Sequence, residues 1–292
     1  MKRPSRILLQ TTIPTTMDDW SIARFSLLAA HLRTIEDHTG RPLFDVTARD
    51  REALGSPDSV LSTLDQSDFD QLWLFAVDAG NGLTGDDRVA ISRFRANGGG
   101  LVVTRDHMDL GSSICELDGI GAAHHFHTRN IDPDALQEVD DPYTTNILWP
   151  NFHSGANGDF QTVEVDPPAH SVLLNSESPT GLIRYLPSHP HEGAVSAPVG
   201  QAARVIATGR SKITGRVFNL AVAFESEQGS GRAIAESTFH RFADYNWNPA
   251  LGAPSFVTEP VGDGLSRNPL AMADVHCYAR NIALWLSNIS MP

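Results

Sequence analysis

Leu72-Trp73-Leu74-Phe75-Ala76-Val77, running into Asp78-Ala79-Gly80-Asn81-Gly82, decides how this chain is read. An unbroken apolar run without polar alternation suits a strand covered on both faces, as in a parallel sheet. The polar, glycine-rich stretch after it is a turn. Thr84-Gly85-Asp86-Asp87 then matches a capping box, with Thr84 as N-cap and an acid three residues later. A helix is expected from there through about Ala96. Asn97-Gly98-Gly99-Gly100 stops it with residues that tolerate left-handed backbone. Leu101-Val102-Val103-Thr104 follows as another buried strand. Strand, helix, strand at this pitch predicts a parallel sheet with right-handed crossovers.

The same alternation extends in both directions. Ile7-Leu8-Leu9 reads as a buried strand, and Leu43-Phe44-Asp45-Val46 as another. Between them Thr16-Met17-Asp18-Asp19 matches a second capping box, followed by Trp20, Ala23, Leu27 and Ala30 at helical spacing. The second half is richer in strands, expected at 161–165, 171–174, 182–186, 204–208, 217–224 and 232–236. A closing amphipathic helix is expected over 269–288, with Val275, Tyr278, Ile282, Trp285 and Leu286 on one face. The stretch 132–157 lacks periodicity and is rich in Asp, Asn, Pro and Gly, so it reads as an insertion, either a lid or a subunit contact. The fold class is α/β with a mainly parallel sheet, plus a β-rich and loop insertion in the second half.

The composition narrows the function. Among 292 residues, 22 Lys and Arg face 35 Asp and Glu, a net charge of −13. Lys and Arg never run together for more than a pair, so neither nucleic acid nor an anionic membrane surface is an expected partner. Cys115 and Cys277 are too few for a disulfide framework or a cysteine-rich metal site, and both are expected as free thiols. The apolar run near the start is too short for a signal-peptide core, and no stretch approaches the ~20 apolar residues of a membrane span. These features predict a cytoplasmic protein with a small-molecule substrate; self-association into a homo-oligomer stays open. The 12 histidines are the unusual entry.

Ligands of open parallel sheets bind beyond the carboxyl ends of the strands. Asp78 and Asn81 stand at one such end, and Asp106 and His107 at another. His124, His125 and His127 look like a metal cluster, although loop histidines with partial exposure are the simpler reading of at least two. Ser188-His189-Pro190-His191-Glu192 carries a His-x-His-Glu pattern that divalent metals use, and Pro190 keeps His189 extended. His240 follows the strand at 232–236 and has Phe239, Tyr245 and Trp247 nearby, suggesting a lined pocket.

Together these stretches resemble the ThuA-like family, named for trehalose utilisation, within the class I glutamine-amidotransferase-like superfamily. Three pieces carry the resemblance: the strand into Asp78–Gly82, Arg95–Val103 running to His107, and Gly231–Ala235 running to His240. It covers 5–130 and 230–245 best. It implies a flavodoxin-like three-layer sandwich with a pocket at the carboxyl edge, one such domain over 1–292, an insertion at about 132–200, and a link to carbohydrate metabolism. The amidotransferase cysteine has no counterpart, because Asp106 and His107 stand on its turn. Glutamine hydrolysis is therefore not expected. The expected function is a hydrolase or lyase on a small polar, carbohydrate-derived substrate. His107, Glu192 and His240 are the candidate catalytic residues. Asp78, Asn81, Asp106, Tyr245 and Trp247 are candidate substrate contacts. His189 and His191 are candidate ligands for a divalent metal ion, zinc or similar. The alternatives are a non-catalytic carbohydrate-binding or sensing module, and a structural subunit.

Overall fold

A computed structural model describes residues 3–134 and 146–289. In chain order the first half holds β1 (Ser5–Pro14), α1 (Ser26–Arg33), β2 (Phe44–Arg51), β3 (Gln71–Phe75), α2 (Gly85–Ala96) and β4 (Gly100–Thr104). The middle adds β5 (His124–His125), β6 (Phe160–Thr162), β7 (Glu164–Val165), β8 (Tyr185–Pro187) and β9 (Ala194–Val195). The rest is β10 (Ala203–Arg210), β11 (Val217–Phe224), β12 (Ala233–Glu236), α3 (Asp244–Trp247), α4 (Gly264–Arg267) and α5 (Pro269–Leu286). Of the expected insertion, 135–145 lies outside the described residues.

Eight strands form one sheet in the order β2-β1-β3-β4-β12-β11-β10-β7. The pairs from β2 to β12 are parallel, and those from β12 to β7 are antiparallel. With β12 counted as the fifth parallel strand, the order is that of flavodoxin-like sheets. The chain leaves this frame after β4 and returns to complete it only at β12.

Alternate residues of the central strands serve opposite faces. Ile7, Leu9, Trp73 and Phe75 pack with Leu28 and Leu32 of α1 and with Tyr278 and Ile282 of α5. Leu8, Leu72, Leu74 and Val103 pack with Ile91 and Phe94 of α2. Burial on both faces explains why the strands read as continuous apolar runs, and it makes the molecule a three-layer α/β sandwich.

The capping box at α2 forms as expected. Thr84 Oγ1 accepts from the Asp87 amide, and Asp87 Oδ2 accepts from the Thr84 amide at 2.9 Å. The other expected box does not form. The Thr16 hydroxyl donates back to the Pro14 carbonyl, and Asp19 takes the amide of Trp20. The cap of α1 comes instead from far along the chain. Asp244 accepts the amides of Ser26 at 3.0 Å and Leu27 at 2.8 Å. The strand expected at 171–174 is also replaced, by a 3-10 turn over Ser171–Leu173 whose Val172 amide donates to His170. Cys115 and Cys277 are both free. Among the described residues no helix is long and apolar enough to cross a membrane.

Gly231, just before β12, lies against the end of α2. Its amide donates to the Arg95 carbonyl at 2.7 Å, and a Cβ built there meets the Gly99 carbonyl oxygen at 1.8 Å. Gly231→Ala forces two backbones apart and should lower unfolding stability by about 2 kcal/mol or more. Gly85→Ala, with open space around it, should stay within about 0.5 kcal/mol of the parent. Urea denaturation of both variants checks the contrast; equal stabilities would contradict this packing.

Candidate active site

Turns at the carboxyl ends of β1, β3, β4 and β12 surround a cavity of about 830 Å³. Ile13 from β1, Asp78 after β3, Asp106 and His107 after β4, and His240 after β12 all line it. This is the crevice that an open parallel sheet leaves where its strand order reverses. A second cavity, of about 1000 Å³, opens at the amino ends of the strands and is lined by Asp70 and Asp37 among others. Those acids are already paired, Asp70 with Arg3 at 2.7 Å and Asp37 with Arg41 at 3.0 Å.

Three buried side chains meet at the first cavity. One ligand atom each from Asp106, His189 and His240 lies within 4.8 Å of the other two. The two imidazoles stack, with ring centroids 3.5 Å apart and planes 13° from parallel. His189 Nε2 stands 3.9 Å from Asp106 Oδ1 and has no hydrogen-bond partner. Burial pulls His240 down to about 4, despite Asp106, and His189 well below the ordinary histidine range, with His240 adding to the effect. Both rings are therefore neutral at neutral pH.

Their tautomers follow from one backbone carbonyl. Ser188 O can only accept, and Asn246 Nδ2 lies 3.0 Å from it. Asn246 therefore turns Oδ1 toward His240 Nδ1, at 3.2 Å, and that nitrogen must donate. The same Nδ2 also donates to Asn157 Oδ1 at 3.0 Å. Asn157 Oδ1 in turn accepts from His189 Nδ1 at 2.7 Å. Each neutral ring thus carries its proton on Nδ1 and its lone pair on Nε2. Metal-ligating histidines are held in this way by a partner on the other nitrogen.

His107 sits partly exposed at the edge of the trio. Its Nε2 is 3.8 Å from Asp106 Oδ2, its Nδ1 makes no hydrogen bond, and burial lowers its pKa. His191 also lines the cavity, but its Nε2 meets Glu259 Oε1 at 3.0 Å. That contact is the main reason the Glu259 carboxyl falls to about 2.

The structure redistributes several expected roles. His189 and His191 do not form a matched pair. Their rings stand 5.5 Å apart at 81°, so only His189 joins Asp106 and His240. Glu192 does not line the cavity. It is fully buried, and Ser154, Gln161, Ser237 and Arg241 all donate to its carboxylate. A general base needs an open lone pair facing the substrate, and this group faces a guanidinium. Tyr245 and Trp247 belong to the hydrophobic core instead of the cavity wall. Trp247 donates to the Arg241 carbonyl at 2.9 Å and packs on His31 and His276. Asp78 and Asn81 do line the cavity. His124 and His125 are buried, contrary to the exposed-loop reading. His124 lies 3.2 Å from both the Val103 and Ile120 carbonyls, and His125 meets Ser196 Oγ at 2.7 Å.

Five relevant residues carry no sequence signal of a site. Asn246 follows His240 by six positions, inside a stretch read only for its aromatics. Asn157 lies at the end of the aperiodic stretch. Trp20, Asp19 and Glu259 reach the cavity from loops that no strand end marks.

No family model and no curated protein matches the chain. Its fold is shared by a protein described as ThuA-like from Parabacteroides merdae, with 14% identity, a TM-score of 0.52, and coverage of 99% of this chain and 92% of that one. A cytoplasmic protein of Salmonella typhimurium LT2 matches at 11% identity and a TM-score of 0.51, over 98% of this chain and 100% of the other. The mmIFT52 N-terminal domain matches at 10% identity and 0.50, over 99% and 100%. The molecule is therefore a flavodoxin-like α/β protein. The ThuA-like resemblance holds at the level of the fold.

The tautomers are open to direct test. Long-range proton–nitrogen spectra of the metal-free protein at neutral pH should show Nδ1–H forms for His189 and His240. Asn246→Leu should release His240 into a mixture of tautomers. An Nε2–H form at either ring in the parent protein would contradict the amide chain.

Proposed function

We propose that this chain is an enzyme, a hydrolase or lyase acting on a small polar, carbohydrate-derived substrate, with a divalent metal ion held by Asp106, His189 and His240. The observation that carries the reading is the buried, unpartnered lone pair of His189 Nε2, beside a second neutral histidine, His240, and the Asp106 carboxylate. An orphaned buried acceptor costs about 1–3 kcal/mol and persists where something else uses it. Two imidazoles and one carboxylate with open positions suit zinc or iron(II). Ligands about 2.1 Å from zinc stand about 3.4 Å apart in a tetrahedron. The trio, spread over as much as 4.8 Å, needs only a modest contraction.

An ion bound there supplies a Lewis acid at the floor of the cavity. The protein supplies the rest. Asn157 and Asn246 hold both imidazole lone pairs inward. His107, beside the trio and open to the cavity, takes or gives the proton. Asp78 and Asn81 accept from and donate to substrate hydroxyls, and Trp20 gives an apolar wall on which a sugar face can rest. The fold shared with a protein described as ThuA-like supports the carbohydrate part of the reading. A cytoplasmic site of action belongs to it too, supported by the cytoplasmic Salmonella protein of the same fold and by the two free thiols.

Calorimetric titration of metal-stripped protein with zinc should show one ion per chain. His189→Ala and His240→Ala should each abolish that binding with little change in melting temperature. Asn157→Ala should weaken it by about 10–100-fold, as second-layer partners do. His107→Ala should keep zinc and lose turnover. Zinc binding that survives His189→Ala unchanged, or no zinc binding at all, overturns the metal centre.

A further inference from the structure

The cavity over the sheet has a one-sided charge. Asp19, Asp78, Asp106, Asp109 and Glu259 line it, and among the described residues no Lys or Arg does. Their hydrogen bonds come almost entirely from neutral donors. Asp19 accepts from the Trp20 amide at 2.7 Å. Asp78 accepts from the Gly80 amide and the Ser113 hydroxyl, both at 2.8 Å. Asp109 accepts from the Thr128 amide at 2.8 Å and its hydroxyl at 2.9 Å. Neutral donors satisfy lone pairs without cancelling charge.

The nearby guanidiniums stand outside the cavity wall. Arg105 is buried behind the Asp106–His107 turn, with Phe126 4.0 Å from its guanidinium carbon. It donates to the carbonyls of Asp106 at 2.6 Å, Met108 at 3.0 Å and Ala194 at 3.2 Å. Arg24 lies over the Trp20 ring and donates to the Asp19 carbonyl at 2.8 Å. Neither lines the cavity, and Arg129, beside Gly80, does not line it either; the Arg105 charge reaches Asp106, Asp109 and His107 only from behind the turn, against five carboxylates on the wall. A divalent ion at Asp106, His189 and His240 offsets part of the carboxylate charge and leaves the wall net negative. Apolar surfaces from Ile13, Trp20 and Val77 keep the local dielectric low and strengthen that field.

The existence of the site rests on the cavity and on the unpartnered His189 nitrogen; the carboxylates decide what enters it. Hydroxyl groups can donate to these oxygens, and an ammonium group does so with charge assistance, which roughly doubles the strength of the bond. A phosphate or carboxylate meets like charge on every side. We propose that the site takes a small polyhydroxylated molecule carrying a protonated amine and rejects phosphorylated or carboxylated ones. This deepens the enzymatic reading above and rests on it for the location of the substrate.

Glucosamine, glucose and glucose 6-phosphate serve as matched probes. Each is titrated into the full chain, with and without zinc, while the His107 imidazole and Trp20 indole resonances are followed. Glucosamine should bind about tenfold more tightly than glucose or better, and added salt should shrink the difference. Glucose 6-phosphate should leave both resonances unmoved. The double variant Asp19→Asn/Asp109→Asn, checked for an unchanged melting temperature, should bring glucosamine down to the level of glucose. Equal binding of glucosamine and glucose, a response to the phosphate, or no response to glucosamine overturns the proposal. The zinc arm keeps the two readings apart. An amine preference without zinc binding ends the metal reading alone, and zinc binding without an amine preference ends this one.

Discussion

The guanidinium of Arg241, fully buried between two carboxylates, is the contact on which the site depends. Its Nη2 lies 3.0 Å from Glu192 Oε2 and its Nε 2.8 Å from Glu236 Oε2. Glu236 is the last residue of β12 and also takes the Tyr278 hydroxyl of α5. Glu192 takes Gln161 of β6 and Ser154, and Ser154 exchanges hydrogen bonds with both the amide and the carbonyl of His189. One cation therefore joins the central sheet, the outer helix and the segment that carries His189. Two acids around one base leave a surplus negative charge in a dry interior. Burial answers it by pushing the Glu236 carboxyl up to about 7, so a proton is readily available there. A buried cluster of this kind contributes little net stability when intact, but loss of the central charge strands the others. What it supplies here is position.

That network explains what could be read from the sequence and what could not. The parallel half of the sheet was legible because burial on both faces leaves a continuous apolar run, as in Leu72–Phe75 and Leu101–Val103. Strand ends were legible for the same reason, and they located Asp78, Asp106, His107 and His240. Long-range pairing leaves no such trace. Nothing near Ser26 announces that Asp244 caps its helix, and nothing near Glu192 announces Arg241. The His189-Pro190-His191 spacing fixed an extended backbone but not the ring orientations. Those are set by Asn157 on one side and Glu259 on the other, each far away in sequence.

The stacked histidines show a similar division between local and distant causes. Two imidazoles 3.5 Å apart cannot both be charged in a buried place, so desolvation, helped by repulsion from neighbouring imidazoles, keeps them neutral. Neutrality alone leaves the tautomer undecided. The amide chain from the Ser188 carbonyl through Asn246 and Asn157 decides it, and it does so without a charged partner. A carboxylate in the place of either asparagine would add a negative charge to a region that already holds several. Amides orient the rings while leaving the charge of the cavity to the residues that face it.

The fold itself settles less than these side chains do. Proteins of 10–14% identity share the sheet, and such likeness fixes a place for a site and not its reaction. The chemistry is narrowed by what stands on the turn after β4. Covalent catalysis by sulfur needs a thiolate at the cavity wall, and the turn after β4 offers Asp106 and His107. Cys115 does not replace it. It sits in the 3-10 helix Ser112–Glu116, and burial pushes its thiol up to about 11, so it stays protonated at neutral pH. It is also absent from the residues that line the cavity. What remains at the edge is an acceptor-rich cavity without Lys or Arg among the described lining residues, holding the neutral imidazoles of His189 and His240. Such a lining can accept hydrogen bonds, take up a proton or hold a cation, and among the described residues it presents no thiol.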